Sequence, residues 1–185
     1  MNAPGGATAL APALAAAPIV AIGVEVPPMS DTGAPLTYGL RDAEALRGLL
    51  VMDAGRVQIA RGGRTWELSG RRRGLSWFGV ALEPGAEHAD AAYYPHLGTG
   101  GTIAFEAQRY ELRRLLFGDG WRLRDEDRRP VARMAKRRAP KRQDPLRLPR
   151  FTIELEPRAR TEADLWLLLL IAAWAILTEP DLPCY

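Results

Sequence analysis

The chain has 185 residues, enough for one sizeable domain that buries roughly 70% of the surface its unfolded form would expose. Apolar residues make up 47% and charged residues 25%, which excludes wholesale disorder, a collagen-like repeat and a disulfide-rich miniature. Cys184 is the only cysteine, so an internal disulfide and a four-thiolate metal site are excluded as well.

Residues 1–18 are mostly Ala, Pro and Gly, whose side chains are too small to anchor a core. We expect them to form a flexible arm, followed by a single domain over residues 19–185. No Lys or Arg precedes Arg41, so the basic start that is typical of a secretory signal is missing. We therefore expect a cytoplasmic protein.

Short alternating stretches separated by turn residues dominate the middle of the chain. The first runs from Ile19 to Val26 and is ended by Pro27. The stretch near Asp42 fits either a helical turn or the lead-in to the next strand. About ten strands follow from this pattern, with a long connection before Thr102 and no helix-length amphipathic run between them. The sequence therefore predicts a mainly β fold, an antiparallel sheet or barrel.

A wholly apolar stretch lies near the C-terminus. Thr161 and Asp164 resemble a capping box, and Leu165 to Leu177 contains thirteen residues without a charge, which predicts a helix over about 162–178. A helix that is apolar on every side is surrounded by protein or by lipid. Thirteen residues cover about 20 Å, whereas hydrocarbon is about 30 Å thick, which favours a buried core helix. The alternative is a tail-anchored membrane protein with a cytosolic β domain.

Positive charge is concentrated in one segment. Arg128 to Arg150 contains ten Lys and Arg and one acid, while the rest of the chain has 15 basic and 21 acidic residues. Such a segment attracts phosphate or carboxylate groups, so an anionic membrane surface or an acidic protein is the expected partner. Nucleic acid is less favoured because no aromatic residues are interleaved for base stacking. The expected ligand-binding residues lie in a basic loop and are Arg133, Lys136, Arg137, Arg138, Lys141 and Arg142.

Two segments together resemble a known family. One is YELRRLLFGDGWRLRDEDRRPVARMAKRR, Tyr110 to Arg138, and the other is FTIELEP followed by ADLWLLLLIAAWAIL. They are similar to the tubby-like superfamily, which includes the LURP-one-related proteins and the phospholipid scramblases. The resemblance implies a closed antiparallel β-barrel of about ten to twelve strands around a C-terminal hydrophobic helix. It also implies a non-enzymatic binding or scaffold module, peripheral at the membrane. The chain departs from the family at Arg124 to Arg128, where the usual glycine after "L-x-D-x-x" is absent.

The usual catalytic residue sets are missing, and we expect no catalytic residues, no metal site and no cofactor. Gly98 to Thr102 is rich in glycine but lacks the lysine of a phosphate loop. A metal-dependent enzyme that uses His88, Asp90 and His96 is a further alternative, because these side chain types bind transition metals. Two histidines eight residues apart with one carboxylate are a common accident, so we expect surface or turn positions for them.

Overall fold

The computed structural model describes residues 19–26, 35–43, 45–53, 56–73, 76–96, 100–116, 120–138, 149–157 and 164–178. They form twelve strands and one helix. In chain order these are β1 (Ile19–Val26), β2 (Leu36–Arg41), β3 (Leu46–Asp53), β4 (Arg56–Arg61), β5 (Arg64–Arg73), β6 (Ser76–Leu82), β7 (Ala91–His96), β8 (Gly100–Phe105), β9 (Gln108–Arg114), β10 (Gly120–Arg124), β11 (Pro130–Arg138), β12 (Pro149–Leu155) and α1 (Leu165–Thr178). The predicted arm at residues 1–18 lies outside the described residues.

The twelve strands form one closed antiparallel barrel. Each strand pairs with its neighbours in sequence, and β12 closes the ring on β1, where Phe151 lies opposite Ile22. The predicted fold class, an antiparallel barrel around a C-terminal hydrophobic helix, is therefore confirmed. Closure gives each of the described strands a paired neighbour on both sides, with the shortest pairing, three residue pairs, between β6 and β7.

Two strands account for the difference between the ten counted in the sequence and the twelve observed. One is β2, and the other is β7, which lies within the stretch predicted as a long connection. Pro95 lies inside β7 and cannot donate to the ladder, which is why the pattern is typical of a loop rather than a strand. The ambiguous stretch near Asp42 is the β2–β3 turn, in which the Asp42 carboxylate accepts a hydrogen bond of 2.8 Å from the Ala45 amide.

Helix α1 fills the inside of the barrel. Eleven of its fourteen residues are buried, from Leu165 to Ile176, and they surround the helix axis on all sides. Eight strands leave an interior just wide enough for side chains, so a barrel of twelve has room for a helix about 10–12 Å across. The apolar residues therefore pack against strands, and the alternative in which this helix is a short membrane anchor is not what the structure shows. No helix of the described part has the length and apolar character needed to span a bilayer.

Two glycines on the inner wall, three strands apart in the ring, allow α1 to approach the wall closely. A Cβ at Gly48 on β3 would lie 2.7 Å from Leu170, and one at Gly79 on β6 would lie 1.9 Å from the Trp174 ring. Trp174 also packs edge-to-face on Tyr93 of β7, with ring centroids 6.5 Å apart. The helix is therefore fitted to the wall by specific contacts on several strands.

The helix begins at Leu165, three residues later than predicted. The Asp164 carbonyl accepts the first helical hydrogen bond, 3.1 Å from the Leu168 amide, so Asp164 directly precedes the helix. Thr161, the other half of the predicted capping box, lies outside the described residues. The Asp164 carboxylate binds Arg61 at 2.7 Å, which ties the start of the helix to the end of β4.

Candidate functional site

A ligand site has to be sought on the outside of the barrel or at its ends, because α1 fills the interior. Two open grooves of similar size lie on the described surface, one of about 310 Å³ and one of about 370 Å³. Both are lined by several arginines. They differ in whether those arginines already have carboxylate partners.

The structure divides the predicted basic loop among different surroundings. Arg133, Lys136, Arg137 and Arg138 lie on strand β11 rather than in a loop, because the strand continues to Arg138. Arg133 and Arg137 are exposed on the outer wall, whereas Lys136 is half-buried on the face of β11 that carries the buried Met134. Because side chains alternate between the two faces of a strand, these residues do not form one surface.

The remaining predicted residues, Lys141 and Arg142, lie outside the described residues. So does the Arg138 side chain, although its backbone belongs to β11. Of the predicted residues whose side chains are described, Arg133 lines the larger groove. Arginines from a neighbouring strand and a turn line the same groove.

Three arginines lie side by side across the outer wall. Arg122 on β10 is the register partner of Arg113 on β9 and of Arg133 on β11. Neighbouring strands are about 4.8 Å apart, so the three side chains leave the wall in one row. Arg113 is paired with Glu111 at 2.8 Å, whereas like charges placed directly opposite each other destabilise a sheet. The row therefore favours an anion that neutralises it.

Arg128 reaches the same surface from the β10–β11 turn. The Asp125 carbonyl accepts a hydrogen bond of 3.0 Å from the Arg128 amide, and the Asp125 carboxylate accepts one of 2.7 Å from the Arg129 amide. The turn places Arg128 in the left-handed region, with φ of 63°, which costs a residue with a side chain about 1–2 kcal/mol.

Arg122, Arg128 and Arg133 line the larger groove, which we call the arginine groove. Its volume is about 370 Å³ and its lining is Arg122, Arg124, Arg128, Arg133, Pro130, Ala132, Glu154 and Glu156. Within the described part of the chain, none of its four arginines takes part in an ion pair or a side-chain hydrogen bond. Four guanidinium groups with free donors around one groove form a site for an anion with several oxygens.

The smaller groove lies beside the start of α1, and its arginines are already neutralised. It is lined in part by Arg47, Arg61 and Arg64. Arg47 binds Asp42 at 2.6 Å and its guanidinium lies 5.6 Å from the Trp166 ring centroid. Arg61 binds Asp164, as described above, and Arg64 binds Glu83. These pairs hold the barrel end and the helix together, so this groove is a poorer anion site than the arginine groove.

A pair of carboxyl groups also lies at the start of α1. The Arg61 guanidinium and a hydrogen bond with Glu106 lower the pKa of Asp164. The same hydrogen bond, together with burial, raises the pKa of Glu106 above its ordinary value. Glu106 and Ala107 form the two-residue β8–β9 turn, and both have positive φ, 48° and 64°. Glu106 in this turn and Asp164 at the start of α1 therefore have pKa values that shift in opposite directions.

The three residues of the alternative metal site, which we expected at surface or turn positions, have separate roles. Asp90 accepts a hydrogen bond of 2.9 Å from the Trp66 indole, His96 bonds the Thr102 hydroxyl at 3.1 Å, and His88 is exposed in a bend. No group of three or more His, Cys, Asp or Glu side chains in the described ranges is arranged to hold a metal ion. The alternative of a metal-dependent enzyme at these three residues therefore has no structural support.

Sequence reasoning missed most of the arginine groove. Arg122 and Arg124 belong to the strand WRLR, in which charged residues alternate with the buried Trp121 and Leu123. That alternation predicts an outer basic face on β10. It does not predict that Arg133 lies next to this face, because the local sequence of a strand does not determine its register with the neighbouring strand.

Comparisons with known proteins give no indication of function. A scan against protein-family models, a search of curated proteins and a search of solved structures each return no significant match.

Proposed function

We propose that this chain is a non-enzymatic binding module that attaches to phosphate groups of an anionic membrane surface through the arginine groove. The observation that carries the proposal is a groove of about 370 Å³ lined by four arginines that have no ion-pair partner among the residues the structure describes. Guanidinium groups bind phosphate oxygens in a bidentate way, and each basic residue near an anionic membrane contributes about 1 kcal/mol.

The proposal includes the family relationship and the location of the protein. A barrel of twelve strands around a C-terminal helix is the architecture that the resemblance to the tubby-like superfamily implies. We propose membership of that superfamily and a cytoplasmic protein peripheral at the membrane. An acidic protein is the competing partner, and it differs in offering carboxylates instead of a phosphate-bearing surface.

Sedimentation with lipid vesicles tests the membrane proposal. The full chain is mixed with vesicles of phosphatidylcholine alone or with a fixed fraction of phosphatidylglycerol. We expect retention on the anionic vesicles at low ionic strength and release by added salt, because salt screens charges beyond about 10 Å at 0.1 M. No retention on anionic vesicles at low ionic strength refutes the membrane surface as the partner.

Charge reversal locates the contact. Arg133→Glu removes one positive charge and adds one negative charge, so the affinity is expected to fall by about 2 kcal/mol, roughly thirtyfold. Arg56→Glu is the matched control: it makes the same change in net charge at an exposed position on β4, far around the ring from β11. If both variants lose the same affinity, only the net charge matters and the arginine groove is not the site.

A further inference from the structure

The arginine groove also contains two carboxylates. Glu154 is the register partner of Arg133 on the neighbouring strand, and Glu156 follows just after the end of β12. Both side chains are exposed and line the groove. In the part of the chain that the structure describes, neither takes part in an ion pair or a side-chain hydrogen bond. The groove therefore offers free donors and free acceptors at the same time.

Two carboxylates weaken a site that takes only a plain anion. They repel the negative charge of the ligand and lower the positive potential of the groove. A ligand that carries a cationic group next to its phosphate reverses this effect, because the carboxylates then contribute to binding. Unfavourable charges placed against one class of ligand are a common source of specificity.

We propose that the arginine groove selects phosphate headgroups that carry a primary ammonium group, with the guanidinium groups on the phosphate and Glu154 and Glu156 on the ammonium. This inference rests on the proposed function, which supplies the membrane surface. It adds the chemical class of the headgroup.

The register gives the two charges a suitable separation. Arg133 and Glu154 leave adjacent strands, whose backbones are about 4.8 Å apart. A two-carbon linker between phosphate and nitrogen spans a similar distance, so one headgroup can contact both. A primary ammonium offers three N–H donors to carboxylate oxygens, whereas a trimethylated nitrogen offers none. The groove therefore distinguishes a primary from a quaternary ammonium by hydrogen bonding.

Vesicles of equal surface charge compare the two headgroups, and the variants of Glu154 and Glu156 separate the ammonium of serine from its carboxylate. Phosphatidylserine and phosphatidylglycerol each add one net negative charge, and only the serine headgroup contains an ammonium group. At the same lipid fraction and low ionic strength, we expect the protein to bind phosphatidylserine vesicles about fivefold more tightly, the factor for one partly screened charged contact. Soluble glycerophosphoethanolamine is expected to compete, and glycerophosphocholine to compete less, which shows that the headgroup itself is recognised.

Neutralising the carboxylates is expected to change the affinities for the two lipids by different amounts. Glu154→Gln with Glu156→Gln is expected to raise the affinity for phosphatidylglycerol and to remove the preference for phosphatidylserine. The matched control, Glu67→Gln with Glu87→Gln, changes the net charge equally at exposed positions outside the groove and is expected to keep the preference. Thermal unfolding checks that each variant is folded.

The outcomes separate this inference from the membrane proposal. Retention on neither anionic vesicle refutes the membrane proposal, and this inference with it. Equal retention on both, or stronger retention on phosphatidylglycerol, leaves the membrane proposal intact and refutes selection by the ammonium. A preference for phosphatidylserine that survives the double Gln variant also refutes the role of Glu154 and Glu156.

Discussion

Replacing Arg128 with glycine is expected to stabilise the barrel and to weaken the arginine groove at the same time. Arg128 has φ of 63°, and the left-handed region costs a residue with a side chain about 1–2 kcal/mol. Glycine removes this cost, but it also increases the conformational entropy of the unfolded chain, which lowers the unfolding free energy by about 0.4–1 kcal/mol. The net gain is about 1 kcal/mol, which for a chain of this size raises the Tm by about 2–4 °C.

The same substitution removes one of the four cations of the arginine groove. A basic residue near an anionic membrane contributes about 1 kcal/mol, so affinity for anionic vesicles is expected to fall about fivefold. Differential scanning calorimetry measures the Tm, and vesicle sedimentation measures the affinity. A strained residue that lowers stability and supports binding is the pattern expected of a functional position.

Two further variants separate strain from charge. Ala107→Gly relieves a similar positive φ, 64°, in a turn outside the arginine groove, so it is expected to raise the Tm and leave vesicle binding unchanged. Arg128→Ala keeps the strain and removes the charge, so it is expected to weaken binding with little change in Tm. If Arg128→Gly gives no gain in Tm while Ala107→Gly does, the assigned strain is wrong. If Arg128→Gly and Arg128→Ala both bind as the parent chain does, Arg128 is not part of the site.

Three further substitutions test how α1 is held. Gly79→Ala places a Cβ 1.9 Å from the Trp174 ring and is expected to cost about 3 kcal/mol of unfolding free energy in urea denaturation, with part of this restored by Trp174→Phe. Leu168→Ala leaves a cavity at a fully buried position and is expected to cost about 2–5 kcal/mol in the same assay. Glu106→Gln keeps a hydrogen-bond donor to Asp164 at every pH. The pKa of Glu106 is raised in the folded chain, so its protonated form stabilises the fold. This stabilisation is present below the ordinary pKa of a glutamate and is lost as pH rises through the raised pKa. The Gln variant is therefore expected to become more stable than the parent chain as pH rises to neutral. The difference in unfolding free energy is expected to be less than about 1 kcal/mol, because the pair is largely exposed. Tm measured against pH checks this.

Each of these expectations has a result that contradicts it. Additive costs of Gly79→Ala and Trp174→Phe would mean that the two side chains do not meet. An unchanged unfolding free energy in Leu168→Ala would mean that α1 is not enclosed. A gain in Tm for Glu106→Gln that is constant with pH would mean that the pKa of Glu106 is not raised by its contact with Asp164.

Local patterns predicted the strands that alternate cleanly and the helix that does not alternate at all. Ile19–Val26 was predicted with the bounds that the structure shows. Strand β7 was missed because Pro95 and its flanking histidine and glycines are typical of a loop, whereas in the barrel it pairs with both β6 and β8. Neighbouring strands can hold a segment whose own sequence has little tendency to extend, because pairing depends on partners distant in sequence.

The candidate site followed only in part from the sequence. The charge count located a basic segment that contains Arg128 and Arg133, and both line the arginine groove. It could not show that Lys136 lies on the other face of the strand from Arg133. Nor could it show that Arg122 is the partner of Arg133, since a shift of one residue in register would place different side chains side by side.

The sequence by itself determined a mainly β chain and an apolar helix that needs enclosure, because both follow from the period and polarity of local stretches. The tertiary structure alone decided that twelve strands close around that helix and bury its apolar side chains. It also decided which charges are paired within the described ranges: the arginines beside α1 contact carboxylates there, and those of the arginine groove do not. Charge pairing depends on distances of a few ångströms between strands, and these are fixed only when the ring is closed.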